Sequence, residues 1–82
     1  MISEELKEKI LPHLREIMPR EDWDKIPGFF ERVYYVKYND SQYAYVMGYW
    51  GDPNPVVAFD ESTGLFLGVV MQDWALEHGV LV

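Results

Sequence analysis

The segment YYVKYNDSQYAYVMGYW, residues 34–50, contains all six tyrosines of the chain and one of its three tryptophans. Two runs rich in β-branched and aromatic residues flank the turn formers Asn39, Asp40 and Ser41, which is typical of a β-hairpin. Side chains of a strand alternate between two faces, so the second strand has a large-residue face and a small-residue face. The first face carries Tyr43, Tyr45, Met47 and Tyr49, and the second carries Ala44, Val46 and Gly48.

Upstream of the hairpin, residues 3–18 have the pattern of an amphipathic helix. Ser3 is a suitable N-cap, and apolar residues then recur at helical spacing: Leu6, Ile10, Leu14 and Ile17. Pro12 lies within this pattern, where it removes one backbone donor and crowds the carbonyl of Glu8. The sequence therefore predicts one Pro-kinked helix, or two short helices.

Downstream, the segment GDPNP at residues 51–55 is a loop, because its two prolines cannot donate to a central strand. Residues 56–71 then predict a second hairpin, with a turn at Asp60–Thr63 and a positive φ at Gly64. A short helix over WALEH, residues 74–78, ends at Gly79, and the apolar tail 80–82 docks on the body of the protein or on another subunit. The chain thus predicts a single α+β domain over residues 1–82, with its N-terminal helical segment on an antiparallel sheet of three or four strands.

A single helical layer covers only one face of a sheet, and antiparallel sheets commonly leave the other face to solvent. The small-residue face of the second strand suits close approach by the helix. The tyrosine face is then expected to look outward.

Charge is distributed unevenly along the chain. All seven lysines and arginines lie in the first 37 residues, whereas residues 38–82 contain six acids and neither lysine nor arginine. The second part therefore repels phosphate and favours encounter with a basic surface. Because binding to a nucleic-acid backbone needs cations, direct nucleic-acid binding is not expected.

Catalytic and metal-binding patterns are missing from the sequence. The chain has no cysteine, and it has no zinc, phosphate-loop or dinucleotide motif. Its two histidines, His13 and His78, lie in predicted helices without a partner motif. We therefore expect no enzymatic activity, no cofactor and no metal, and the lack of a signal-peptide or membrane-spanning run predicts a soluble cytoplasmic protein.

The leading hypothesis is a small acidic protein-binding module, of the inhibitor or immunity type, that binds a basic protein such as a nucleic-acid-handling enzyme. Interface centres are rich in tyrosine, tryptophan and methionine, and acids at the rim would complement a basic partner. The predicted partner-binding residues are Asp40, Tyr43, Tyr45, Met47, Tyr49, Trp50 and Asp52. The competing interpretation of the tyrosines is that they form ordinary cross-strand pairs or belong to the core.

Two alternative functions remain. In the first, the chain is a homo-oligomeric structural or adaptor subunit, for example a homodimer that buries the tyrosine face or the apolar tail. The second alternative is based on the segment VVAFDESTGLFLG, residues 56–68. This segment resembles the final hairpin of PepSY-type domains, in which an aspartate and a Thr-Gly pair make the turn. This alternative is a small apolar-ligand-binding domain of PepSY-like architecture, whose pocket between helix and sheet is lined by Trp23, Phe29, Phe30 and Trp74.

Overall fold

The computed structural model describes residues 2–51 and 54–82 and confirms the predicted α+β class. Its helices are α1 (Glu4–Ile17), a 3₁₀ helix (Arg20–Lys25), α2 (Ile26–Phe29) and α3 (Gln72–His78). Its strands are β1 (Tyr34–Asn39), β2 (Gln42–Met47), β3 (Pro55–Asp60), β4 (Phe66–Met71) and β5 (Gly79–Leu81). Asp52, one of the predicted site residues, lies outside the described residues.

Helix α1 begins where its sequence predicts. The side-chain oxygen of Ser3 accepts a hydrogen bond of 3.2 Å from the backbone N–H of Leu6, and so satisfies a donor of the first turn. The helix continues through Pro12, so the predicted alternative of two short helices is wrong. Pro12 and Glu8 lie on the exposed side, where water can hydrate the carbonyl that lost its donor. Within residues 2–51 and 54–82, no helix has the length and apolar character that crossing a bilayer requires.

The five strands form one antiparallel sheet in the order β4-β3-β2-β1-β5. Both predicted hairpins are present, as β1–β2 and β3–β4. The apolar tail supplies the fifth strand, which exceeds the predicted three or four: β5 pairs with β1, with Val80 opposite Tyr35 and Gly79 opposite Val36. The tail therefore docks on its own chain.

Both faces of the sheet are covered, and this corrects the predicted orientation of β2. Helix α1 packs on the tyrosine-bearing face, in a cluster that includes Leu6, Ile10, Leu14, Met47 and Phe59. Helix α3 lies on the small-residue face, in a cluster formed by Val36, Ala44, Val46, Val56, Ala58 and Ala75. The prediction that the small-residue face meets α1 and leaves the tyrosine face exposed is wrong. Because β4 and β5 lie at opposite edges of the sheet, their connection must cross one face, and α3 forms that crossing.

The small residues do permit close approach by a helix, but the helix is α3. Ala75 is fully buried against the sheet. At Gly79, where α3 ends, an added Cβ would lie 2.5 Å from Cγ1 of Val36 and 2.7 Å from the carbonyl oxygen of Ala75. Only glycine fits between the end of α3 and strand β1 at this distance.

Candidate functional site

The large-residue face of β2 is largely occupied by the core beneath α1. Met47 is 0% exposed, so its assignment to a contact surface is wrong. Tyr45 is half-buried and packs against the same cluster. Asp40 and Tyr43 differ: Asp40 is exposed in the hairpin turn, and Tyr43 is 40% exposed.

Tyr49 and Trp50 lie beyond the end of β2, away from the hairpin turn, and they contact different residues. The Tyr49 ring makes an edge contact with Phe29, with centroids 5.1 Å apart, beside α2. The Trp50 ring lies against Tyr34 at 4.8 Å and packs on the cluster beneath α3. Both residues follow the end of β2, so the two-residue alternation of a strand no longer orients them. The predicted site residues therefore do not form one surface.

Three tyrosines and one carboxylate do converge, and we call Tyr35, Tyr43, Tyr45 and Glu61 the tyrosine–glutamate cluster. The rings of Tyr35 and Tyr43 are stacked, with centroids 5.3 Å apart and an interplanar angle of 9°. The Tyr45 ring lies 5.4 Å from that of Tyr35 at 50°. The Tyr35 hydroxyl donates a hydrogen bond of 2.8 Å to Oε2 of Glu61. The cluster is thus an aromatic stack fixed at one end by a charge-assisted hydrogen bond.

A β-bulge places Tyr35 in this cluster. Tyr38 has no partner in the β1–β2 register, which shifts between Lys37 and Asn39, so Tyr35 lies opposite Tyr45. Without the extra residue, the register set by the Asn39–Gln42 pair would put Tyr35 opposite Val46. A shift of one residue moves every side chain of a strand to the other face. Sequence reasoning missed Tyr35 because alternation within one strand does not reveal a bulge.

The turn between β3 and β4 positions Glu61. Oδ2 of Asp60 accepts hydrogen bonds from the backbone N–H groups of Ser62 and Thr63, at 2.9 and 2.8 Å, and Gly64 has the predicted positive φ of 74°. The backbone N–H of Glu61 then donates to the carbonyl of Tyr43 at 3.2 Å. Glu61 was also missed, although it follows directly on the aspartate that the sequence assigns to the turn.

Two pKa shifts mark this region. The hydrogen bond to Glu61 raises the pKa of Tyr35 to about 12, and desolvation and the Glu61 charge act in the same direction. The pKa of Asp60 is lowered, chiefly by the hydrogen bond from the Thr63 backbone, with a further contribution from the Gln42 side chain. At neutral pH Tyr35 is therefore a donor and Asp60 an anion that organises the turn.

A cleft of about 390 Å³ adjoins the cluster, between the start of α1 and the β3–β4 turn. It is lined by Ser3, Glu5, Leu6, Lys9, Tyr45, Glu61 and Ser62. The Lys9 ammonium lies 4.0 Å from a carboxylate oxygen of Glu5. The cleft is mixed in charge and polar, so it suits a charged side chain better than an apolar ligand.

The four aromatic residues expected to line an apolar pocket do not come together. Trp23, Phe29 and Phe30 pack with the cluster beneath α1, whereas Trp74 packs on the other face of the sheet. A separate apolar groove of about 300 Å³ lies beside β4 and includes Phe29 alone of the four. The pocket predicted from these residues is therefore wrong.

The two histidines have local contacts within the fold. The His13 ring lies 6.4 Å from that of Phe59, and Nδ1 of His78 lies 2.9 Å from the Trp74 carbonyl oxygen. Over residues 2–51 and 54–82, no group of three histidine, aspartate or glutamate side chains is arranged to hold a metal ion.

The fold and the cluster define an α+β protein with an antiparallel five-stranded sheet between helices, and with an aromatic and acidic patch at one hairpin. Comparison of the chain with protein-family models, curated proteins and solved structures gives no significant match. The function must therefore be inferred from the residues themselves.

Proposed function

We propose that the protein is a small acidic, non-enzymatic protein-binding module whose partner is a basic protein. The observation that supports this proposal best is the stack of Tyr43 on Tyr35, held by Glu61 and exposed on its Tyr43 side. Interface hot spots favour rigid aromatic side chains, because such groups lose little conformational entropy on binding. The acidic stretch after Lys37 adds attraction for a cationic surface.

The cluster can accept an arginine of the partner in two ways at once. A guanidinium can lie over the exposed ring of Tyr43, and it can also pair with Oε1 of Glu61. The Tyr35 hydroxyl donates to Oε2 of Glu61. Within the part of the chain that the structure describes, the other carboxylate oxygen, Oε1, has no hydrogen-bond partner. Lys37 lies opposite Tyr43 in the strand register, and its positive charge would disfavour the approach of a cation from that side.

Inhibitors of nucleic-acid enzymes, including immunity proteins, share this small size and negative charge. An enzyme that binds nucleic acid presents a basic surface, to which an acidic protein can dock. We therefore propose a nucleic-acid-handling enzyme as the class of partner.

An NMR titration of the isotope-labelled protein with a model peptide tests the proposed site before any partner is identified. The probe is a short arginine-containing peptide, and the matched control peptide carries glutamine in place of arginine. We expect the arginine peptide alone to shift the signals of Tyr35, Tyr43 and Glu61. Shifts confined to other regions, or equal shifts with the glutamine peptide, would contradict the proposal.

Two tyrosine variants separate the cluster from general aromatic stickiness. Tyr43 and Tyr49 are almost equally exposed, at 40% and 42%, but only Tyr43 belongs to the cluster. Tyr43→Ala should weaken binding of the arginine peptide by about three- to tenfold, from the loss of a cation–π contact, while Tyr49→Ala should leave it unchanged. In affinity capture from a lysate, the relevant partner should be lost with Tyr43→Ala and released by salt. A partner retained equally by both variants would argue against this site.

A further inference from the structure

Strand β4 is an edge strand whose outer side has no neighbouring strand in the described sheet. Its apolar residues are unusually accessible: Val69 is 61% exposed and Met71 is 56% exposed. Edge strands are commonly protected by charges, by proline or by a bulge. Here the register shifts at Leu67, so the bulge leaves the regular segment Gly68–Met71 unprotected.

The charge of the chain limits what can pair with this edge. The eleven residues from Ser62 to Gln72 carry no charge, although the whole chain has a formal charge of −7. Because β4 has no carboxylate that could pair with a basic peptide, its edge favours pairing with a neutral, apolar strand. The β4 strand of a second copy has this character, and pairing there places one uncharged stretch against another.

The apolar groove beside β4 supplies a place for a side chain of the second copy. The groove of about 300 Å³ is lined mainly by apolar side chains, among them Ile17, Phe29, Val57 and Val69. Val69 belongs both to this groove and to the edge, because it lies opposite Val57 on the α1 face of the sheet. A methionine suits such an irregular gap, since its side chain is flexible and polarizable.

We propose that two copies of the chain pair their β4 strands antiparallel about a twofold axis near Val70, forming a continuous ten-stranded sheet. This register sets Val69 of each copy opposite Met71 of the other and directs each Met71 side chain toward the partner's groove. The contact is isologous, so it closes as a dimer. It uses neither the tyrosine–glutamate cluster nor β5, and is independent of the proposed binding function.

Sedimentation velocity over concentrations up to about 500 μM tests this proposal. The wild-type chain should show a concentration-dependent doubling of mass. Val69→Lys should raise the dissociation constant at least about tenfold, because a lysine on the edge must be desolvated and disrupts strand pairing. Val80→Lys is the matched control: Val80 is 62% exposed, and it also lies on an edge strand on the α1 face.

Three results would overturn the proposal: a wild-type monomer at every concentration, a dimer that survives Val69→Lys, or an equal effect of Val80→Lys. Circular dichroism of both variants verifies that each remains folded. Hydrogen exchange of the unmodified chain gives a second measurement that needs no variant. Amides in Gly68–Met71 should become more protected as concentration rises, whereas those of β5 should not.

Discussion

Substitution of Gly79 by alanine is the sharpest perturbation of the crossing helix α3. The new methyl group would lie 2.5 Å from Cγ1 of Val36, 2.7 Å from the Ala75 carbonyl oxygen and 3.3 Å from Cβ of Tyr34. The Ala75 oxygen is a backbone atom, and Cβ of Tyr34 is bonded directly to the backbone. Neither atom can move by a rotation of its side chain. The steric clash is relieved only if α3 moves away from β1.

The expected cost follows from that movement. Overpacking a well-filled site typically costs about 1–3 kcal/mol, and we expect the upper part of this range because a backbone carbonyl is involved. The φ of Gly79 is −104°, which alanine adopts freely, so backbone strain adds nothing. Gly28→Ala is the control: nothing lies within 4 Å of its added Cβ, and in helix α2 alanine should stabilise by about 0.5–1 kcal/mol.

Urea unfolding monitored by tryptophan fluorescence provides the measurement, with the midpoint and slope fitted for the wild type and both variants. We expect Gly79→Ala to lower the midpoint and Gly28→Ala to raise it slightly. If Gly79→Ala were as stable as the wild type within about 0.5 kcal/mol, α3 could not approach β1 as closely as described. The coverage of the small-residue face would then need a different explanation.

Two further predictions concern the tyrosines. Tyr45→Ala should lower the free energy of unfolding by about 2 kcal/mol, because it removes a half-buried ring from the core beneath α1. Tyr43→Ala should lower it by less than about 1 kcal/mol. Equal losses for the two variants in urea unfolding would contradict their different burial. Because the folded-state pKa of Tyr35 is raised from 10.0 to about 12, its stabilising effect is complete below pH 10 and is lost as the pH rises toward 12. Glu61→Gln should lower this pKa in a spectroscopic phenol titration, and an unchanged titration would refute the hydrogen bond as its main cause.

Local signals in the sequence predict most of the secondary structure. Ser3 and the recurring leucines and isoleucines predict α1, and the turn residues Asn39–Ser41 and Asp60–Gly64 predict both hairpins. Each of these features depends on residues close together in the chain. The same locality explains why Gly79 is correctly predicted to end the last helix.

The arrangement of the layers depends on non-local features. The face of β2 that meets α1 is decided by the crossing of α3 from one edge of the sheet to the other, which no segment of the sequence encodes alone. The composition of the cluster depends on the bulge at Tyr38, which reverses the faces of β1. The sequence predicts Met47 on the surface because it does not reveal the crossing of α3, and it does not point to Tyr35 because it does not reveal the bulge.

The short length of α3 explains two tyrosines of the β1–β2 hairpin, Tyr34 and Tyr38, which pack on the face of the sheet that α3 covers. Five strands span about 19 Å across the sheet, whereas the seven-residue α3 is only about 10 Å long. Large amphipathic rings cover the sheet beyond this helix and place their hydroxyl groups at the margin. Tyr34 accepts a hydrogen bond from Arg32 and Tyr38 donates one to the Leu67 carbonyl, so both are held by the fold.

Tyr43 differs from these structural tyrosines. Its ring is held by stacking on Tyr35, yet across residues 2–51 and 54–82 its hydroxyl makes no hydrogen bond with the protein. A fixed ring with an unused polar end contributes little to the core but can contribute to an interface, where both parts find partners. This combination of rigidity and an unused donor is why Tyr43, and not the more deeply packed Tyr45, is the residue on which the proposed binding site should be tested first.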